Sequence, residues 1–263
     1  MKVLVLAVAL VAPGPPAPDA LLPQAPAAVA QALGRTTASL QRALVTWQAG
    51  PRAGRAAPRD VTLWALHQQR LFLRLTYDAE LRRKARPLLT PQARATLDAR
   101  VRLVALTPPT TLPLSAFRTG PALPARTLQR YYREAERRFG VEWEVLAAIN
   151  FVETNFNRIR SRSSAGAQGP MQFMPATWRA YGLGGNVNDP RDAILGAANY
   201  LRASGARTNL RRALWHYNHS ERYVDAVAAF AAQMRRDERI YLAYHSWQVW
   251  VKTPSGPRRL TGP

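Results

Sequence analysis

The sequence predicts a mainly α-helical protein that closes with a short β-hairpin. Three observations lead there. Apolar residues recur at steps of three and four through most of the chain, the spacing of helices with one buried face. Helix starts and stops punctuate that pattern, as at Thr90-Pro91, Gly140 and Asp189-Pro190. Strict alternation occurs only near the end, in Trp247-Gln-Val-Trp-Val251, where Pro254-Ser-Gly256 supplies a turn and Arg258 to Thr261 returns.

Met1-Lys2 is a short positive start, and Val3 to Ala12 is an unbroken apolar run followed by PGPPAP. Ten apolar residues are too few to span a bilayer but suit the core of a secretory signal peptide. The expectation is an exported protein with a signal peptide over 1–22, cleaved between Ala12 and Ala30. No later segment has eighteen consecutive apolar residues, so no transmembrane helix is expected.

Residues 23–107 read as a helical accessory segment. An Ala-rich helix runs through Trp47, capped by Thr36 or Thr37. After a Pro/Gly/Arg linker, Asp60 caps a helix that turns Leu63, Trp64, Leu71 and Leu75 inward. Arg82, Arg83, Lys84 and Arg86 read as a solvated or polyanion-facing patch. Thr90 and Pro91 open a helix to Leu106, which Pro108-Pro109 stops.

Residues 108–124 form a Pro-rich linker, and 125–240 a second helical unit. Helices are expected over Ala125–Phe139, Glu142–Phe156, Ala176–Tyr181, Asp189–Ser204 and Leu210–His216, with one or two over Glu221–Tyr244. Residues 241–263 are the tail that carries the hairpin.

Thirty-seven basic residues against sixteen acidic ones give a net charge of +21, which points to an anionic partner. The basic residues are spread rather than clustered with aromatics, and an exported chain rarely meets nucleic acid, so nucleic acid is not the expected partner. The absence of cysteine excludes disulfides, thiolate metal sites and a cysteine nucleophile. The four histidines show no H-x-x-x-H spacing, so no metal is expected. No glycine-rich phosphate loop is present, so no nucleotide cofactor is expected either.

Chemistry concentrates between Val145 and Pro175, where Glu153 is the one acidic residue. On a helix it shares the apolar stripe of Leu146, Ile149 and Phe156. A carboxylate there loses hydration, which raises its pKa and suits it to general acid work. The plain alternative is an edge-of-core Glu paired with an Arg. Ser163-Ser-Ala-Gly-Ala-Gln-Gly-Pro170 is a small-residue loop that allows close backbone approach to a cleft. Met171-Gln-Phe-Met-Pro175 then offers an amide and two soft apolar side chains, and Tyr217-Asn218 brings a phenol and an amide.

The order E-T-x-F, then S-x-A-G-A-x-G-x-M-Q-x-M-P, then Y-N resembles the catalytic domain of soluble lytic murein transglycosylases, which has a goose-type lysozyme-like fold. The resemblance covers about Leu128 to Met234. GPMQFMPATW followed by YGLGGNVNDPRDAILGAANYL is similar to an actinobacterial branch of that family. It implies that Glu153 is the catalytic acid, cleaving the bond between N-acetylmuramic acid and N-acetylglucosamine and leaving a 1,6-anhydro end. It further implies that Ser163 lies near the acid, that Tyr217 hydrogen-bonds close to it, and that Gln172, Met174 and Asn218 border the sugar sites. Thr154 stands where the family has Ser and keeps the hydroxyl. The distance from Glu153 to the loop is one residue longer than in some members, so Ser161 and Ser164 stay alternatives to Ser163.

The stretch supplies one carboxylate, whereas glycosidases generally use two. Asp189 and Asp192 read as helix-capping residues. A mechanism that uses the substrate's own hydroxyl fits that shortage. The implied partners are peptidoglycan strands and anionic wall polymers, with the protein a monomer and no cofactor required. The rivals are a hydrolytic muramidase using Asp189 or Asp192 as base, and a non-catalytic wall or polyanion binder.

Overall fold

A computed structural model describes residues 14–51 and 54–263, so the apolar run Val3–Ala12 lies outside the described residues. Among the described residues the chain forms eleven α-helices and one two-stranded antiparallel sheet. The helices are α1 Pro26–Ala49, α2 Arg59–Tyr77, α3 Ala79–Ala85, α4 Pro91–Leu106, α5 Ala125–Phe139, α6 Trp143–Thr154, α7 Pro175–Tyr181, α8 Pro190–Ala203, α9 Leu210–Tyr217, α10 Glu221–Arg236 and α11 Glu238–His245. Strands β1 Trp250–Thr253 and β2 Gly256–Arg259 pair with Trp250 opposite Arg259 and Thr253 opposite Gly256. The expected alternating run thus begins too early. Trp247 and Val249 are buried, and pairing starts only at Trp250.

Several expected boundaries hold for the expected physical reasons. Thr90 accepts a hydrogen bond from the Ala93 amide, with Pro91 in the first turn. Gly140 stops α5 with φ 70°, a conformation that glycine adopts without strain. Asp189 accepts from the Arg191 and Asp192 amides at the start of α8. Other expectations need correction. Thr36 and Thr37 cap nothing, because α1 already starts at Pro26 and Thr36 is buried in its interior. Asp60 lies inside the first turn of α2, whose cap position is Pro58. Trp64 is only partly buried, unlike Leu63, Leu71 and Leu75. Arg82 is not a plain surface residue: it donates to the Leu75 and Thr76 carbonyls at the end of α2.

Buried side chains from Val29 to Trp247 form one contiguous hydrophobic cluster. Helix α10 packs on both α4 and α6, and α5 packs on α6 and α8. The core therefore does not divide at the Pro-rich segment 108–124. Part of that segment pairs with the chain after α6, where the Gly120 amide donates to the Arg158 carbonyl and the Arg160 amide to the Arg118 carbonyl.

The C-terminal stretch is tied back to the N-terminal helices. Trp247 donates its indole N–H to Gln68 Oε1 at 3.1 Å, Gln69 Nε2 donates to the Gln248 carbonyl at 2.7 Å, and the Gln248 amide donates to Gln69 Oε1 at 2.9 Å. These buried side chains satisfy one another's polar atoms, which makes the alignment of α2 with residues 247–248 specific. Lys252 Nζ donates to the Val104 and Thr107 carbonyls, fastening the hairpin to the end of α4.

Candidate active site

Helix α6 ends abruptly, and its ending positions the site. Asn155, Phe156 and Asn157 follow in the left-handed region with φ of 50°, 59° and 65°. Asn tolerates that region, whereas Phe156 is held there against its preference. What holds it is burial: its ring is fully enclosed and lies 5.5 Å from Phe151 and 5.6 Å from Tyr241. Sequence periodicity extended the helix to Phe156 because this residue is as buried as a helical position on the same stripe.

Thr154 is fully buried and faces away from solvent. Its hydroxyl donates to the Pro170 carbonyl at 2.7 Å and accepts from the Asn157 amide at 3.0 Å. Asn150 Nδ2 also donates to the Pro170 carbonyl, and Asn150 Oδ1 accepts from the Tyr132 hydroxyl. This satisfied network joins α5, the end of α6 and the loop before α7. Thr154 is therefore a clasp on the loop rather than a side chain open to a ligand.

Glu153, its neighbour, points the other way. Tyr223 of α10 donates its hydroxyl to Glu153 Oε1 at 2.7 Å. No ion pair reaches Glu153 among the described residues, so the plain alternative of a Glu neutralised by Arg does not apply. Burial pushes its carboxyl from the ordinary range up to about 7, and the Tyr223 hydrogen bond partly offsets that rise. A carboxyl so placed is present in both protonation states near neutral pH. It can give a proton in one step and take one in the next.

Tyr217 lies beside Tyr223, with the rings parallel and 6.5 Å apart. Its hydroxyl does not reach Glu153 but donates to the Met171 carbonyl at 2.6 Å, anchoring the loop. Burial first, and then the charge of Glu153, push both phenols well above their ordinary range, so both stay protonated. Tyr223 was not singled out by sequence reasoning. It stands seventy residues from Glu153 and shares a helix with Val224 and Val227, so it reads as core. The signal was its position three residues past Ser220, the capping residue of α10.

The loop over residues 163–174 is built from two tight turns. Ser163 Oγ accepts from the Ala167 amide, and the Ser163 amide donates to the Ala167 carbonyl. Ser163 is exposed, and its hydroxyl serves its own turn; Ser161 Oγ accepts from the Arg118 amide. Gln168 and Phe173 then pair across a four-residue turn. Gly169 there has φ 75°, and a Cβ on it would sit 1.9 Å from the Val187 carbonyl oxygen, so no other residue fits. Gln172 sits at φ 50°, partly exposed, its side chain donating to the Gly169 carbonyl. Met174 is exposed, whereas Met171 is fully buried and offers only its carbonyl. Asn218 is exposed at the end of α9, and its carbonyl accepts from the Ser220 amide in the turn into α10. A hollow of about 960 Å³ opens beside the loop, lined by Tyr131, Asn157, Pro170 and Asp189 among others; Glu153 does not line it.

The remaining carboxylates of this region are engaged elsewhere. Asp189 caps α8, Asp192 accepts from the Asn186 amide, and Glu221 and Asp225 pair with Arg211. No group of three or more His, Asp or Glu that could hold a metal occurs among the described residues.

Comparison with known proteins bears on the same segment. Residues 130–240 match the Transglycosylase SLT domain family. A curated relative, the membrane-bound lytic murein transglycosylase F of Thiobacillus denitrificans (strain ATCC 25259 / T1), is 35% identical over 74 residues. That stretch is 28% of this chain and 15% of the relative, so the chain spans a small part of that protein's length. No solved structure matches the chain. The matched segment, less than half of the chain, runs from α5 into α11 and contains Glu153, Tyr217, Tyr223 and the loop between them, so over this part the chain is similar to the transglycosylase SLT family.

Proposed function

We propose that this protein is a peptidoglycan lytic transglycosylase in which Glu153 alone carries the proton transfers. The observation that carries the reading is the Glu153 carboxyl itself: free of any cation, raised to about 7 and hydrogen-bonded by Tyr223. The similarity to a lytic murein transglycosylase supports the reaction class.

In the first step the protonated Glu153 gives its proton to the glycosidic oxygen between N-acetylmuramic acid and N-acetylglucosamine, and the C–O bond to the anomeric carbon breaks. The muramic 6-hydroxyl oxygen then bonds to that carbon and its proton passes to the Glu153 carboxylate. The enzyme returns to its starting state, no water is consumed, and a 1,6-anhydro end forms. Tyr223 stabilises the carboxylate that exists between the two steps. Gln172, Met174 and Asn218, each accessible, are assigned to the sugar sites; Ser163 is assigned to the rim of the loop. Tyr217 and Thr154 hold that loop from beneath.

The same reading assigns the apolar start of the chain to a signal peptide and the protein to the cell envelope, acting as a monomer on strands whose anionic wall polymers suit a charge of +21. Arg70 donates to the Ala20 carbonyl and Leu22 packs on the core, so cleavage between Ala12 and Asp19 leaves these contacts intact. The deciding experiment is digestion of purified peptidoglycan followed by mass spectrometry. Anhydro-muramyl ends are expected; reducing ends alone would make the protein a hydrolase.

A further inference from the structure

A second cavity, of about 190 Å³, lies where the N-terminal helices, α6 and the C-terminal segment meet. Its wall includes Arg100 and Leu103 of α4, Phe151 and Val152 of α6, Asn155 and Trp250. Two polar side chains in it each have one buried atom without a hydrogen-bond partner. The Arg100 guanidinium lies 5.0 Å from the Trp247 ring and makes no hydrogen bond or ion pair with any described residue; its Nε is out of contact with solvent. Asn155 gives its Nδ2 to the Trp247 carbonyl, which leaves Oδ1 buried without a donor.

Arg100 is only partly buried, but its Nε and the Asn155 Oδ1 are each shut off from solvent without a hydrogen-bond partner, and native chains rarely keep such atoms without a reason. Burial draws the Arg100 pKa down to about 10, so it stays charged at neutral pH. By contrast, Gln69 and Gln248, which also line the cavity, are fully occupied with each other, with Trp250 and with Thr261. The two free groups define a ligand: a carboxylate for Arg100, an N–H for Asn155 Oδ1, and a small apolar body for the walls. The volume equals that of about six waters, which suits one alanine-sized residue.

We infer that this cavity binds the C-terminal residue of a peptide through its free carboxylate, the peptide being a stem of the same wall polymer that Glu153 cleaves. The assignment to a stem rests on the proposed function; the carboxylate chemistry rests on Arg100 and Asn155 alone. Val152 precedes Glu153, and Phe230, also in the wall, lies two helical turns beyond Tyr223 on α10. A bound stem would thus sit against both helices that carry the Glu153–Tyr223 pair.

The test is calorimetric titration of the whole protein with N-acetyl-D-alanyl-D-alanine, its C-terminal amide and the all-L dipeptide. The free acid of the D form should bind at least about tenfold more tightly than either of the others. Arg100→Gln should lose that binding, and Leu103→Trp, which fills the cavity with Arg100 in place, should lose it too should the first variant fail to fold. No binding of the acid, equal binding of the amide, or unchanged affinity in a folded variant would overturn the site. Equal or tighter binding of the all-L dipeptide would overturn the stem assignment. Glycan cleavage is measured separately on the same preparations: cleavage without dipeptide binding defeats this inference alone, and binding without cleavage defeats the proposed function alone.

Discussion

The Tyr223 hydroxyl donates to Glu153 Oε1 at 2.7 Å, joining the last turn of α6 to the first turn of α10. The bond favours the ionised carboxyl, while burial favours the protonated one, and burial is the larger effect. The site is thus a balance between two opposed influences on one proton.

Removing the carboxyl tests its role directly. Glu153→Gln is expected to lower the rate of glycan cleavage at least about a hundredfold. Binding to intact wall should persist, and a pull-down with purified peptidoglycan checks this. Cleavage at the wild-type rate would remove Glu153 from the mechanism.

The same substitution has a signed effect on stability. Glu153 titrates higher folded than unfolded, so the native state binds more protons between about 4.5 and about 7. Stability contributed by this group is full below about 4.5 and is lost as pH rises through about 7. Glu153→Gln should remove that dependence, leaving the variant more stable than wild type by roughly 3 kcal/mol above pH 7. Urea unfolding at a series of pH values measures it.

Tyr223→Phe deletes the hydrogen bond that favours the carboxylate. The Glu153 pKa should then rise further, carrying the alkaline limb of the pH–rate profile to higher pH. The maximal rate should fall about tenfold or more. A limb that stays in place would mean that the bond does not act on the reacting proton.

The loop depends on one glycine. Gly169→Ala puts a methyl into the Val187 carbonyl at a φ that L-residues rarely adopt. A loss of about 2 kcal/mol or more is expected, seen as a fall of at least about 4 °C in thermal midpoint. Gly166, where a Cβ meets nothing within 4 Å, serves as the control for φ alone.

Thr154 is expected to matter for stability first. Thr154→Val leaves the partly buried Asn157 amide without its acceptor and should cost about 1–2 kcal/mol, whereas Thr154→Ser should restore most of it. Chemical denaturation of the three proteins separates these outcomes.

Much of this arrangement was legible in the sequence, and the exceptions have physical reasons. Thr90-Pro91, Gly140 and Asp189-Pro190 were readable because each acts on backbone groups one to three residues away. Glu153 was readable because a charge on an apolar stripe is conspicuous. Tyr223 was not, since a tyrosine on an apolar stripe is ordinary and its partner comes from another helix. Arg100 was hidden for a different reason: among so many arginines, nothing local marks one that lies against a cavity with its Nε unpaired. The helix start at Pro26 was missed because no side chain caps it, while two interior threonines imitate a cap.

The clasp of Gln68 and Gln69 on Trp247 and Gln248 joins residues 179 positions apart. Such a contact cannot form while the chain is still short. Helices α1 to α4 are synthesised early, yet the groups that complete their packing arrive only with residues 247 and 248. The N-terminal helices must therefore wait, with Leu71 and Phe72 incompletely covered, until residues 247 and 248 have emerged. A nascent chain stalled before residue 247 should leave these helices open to proteolysis, and the site around Glu153, which shares their core, is not complete until that residue has emerged.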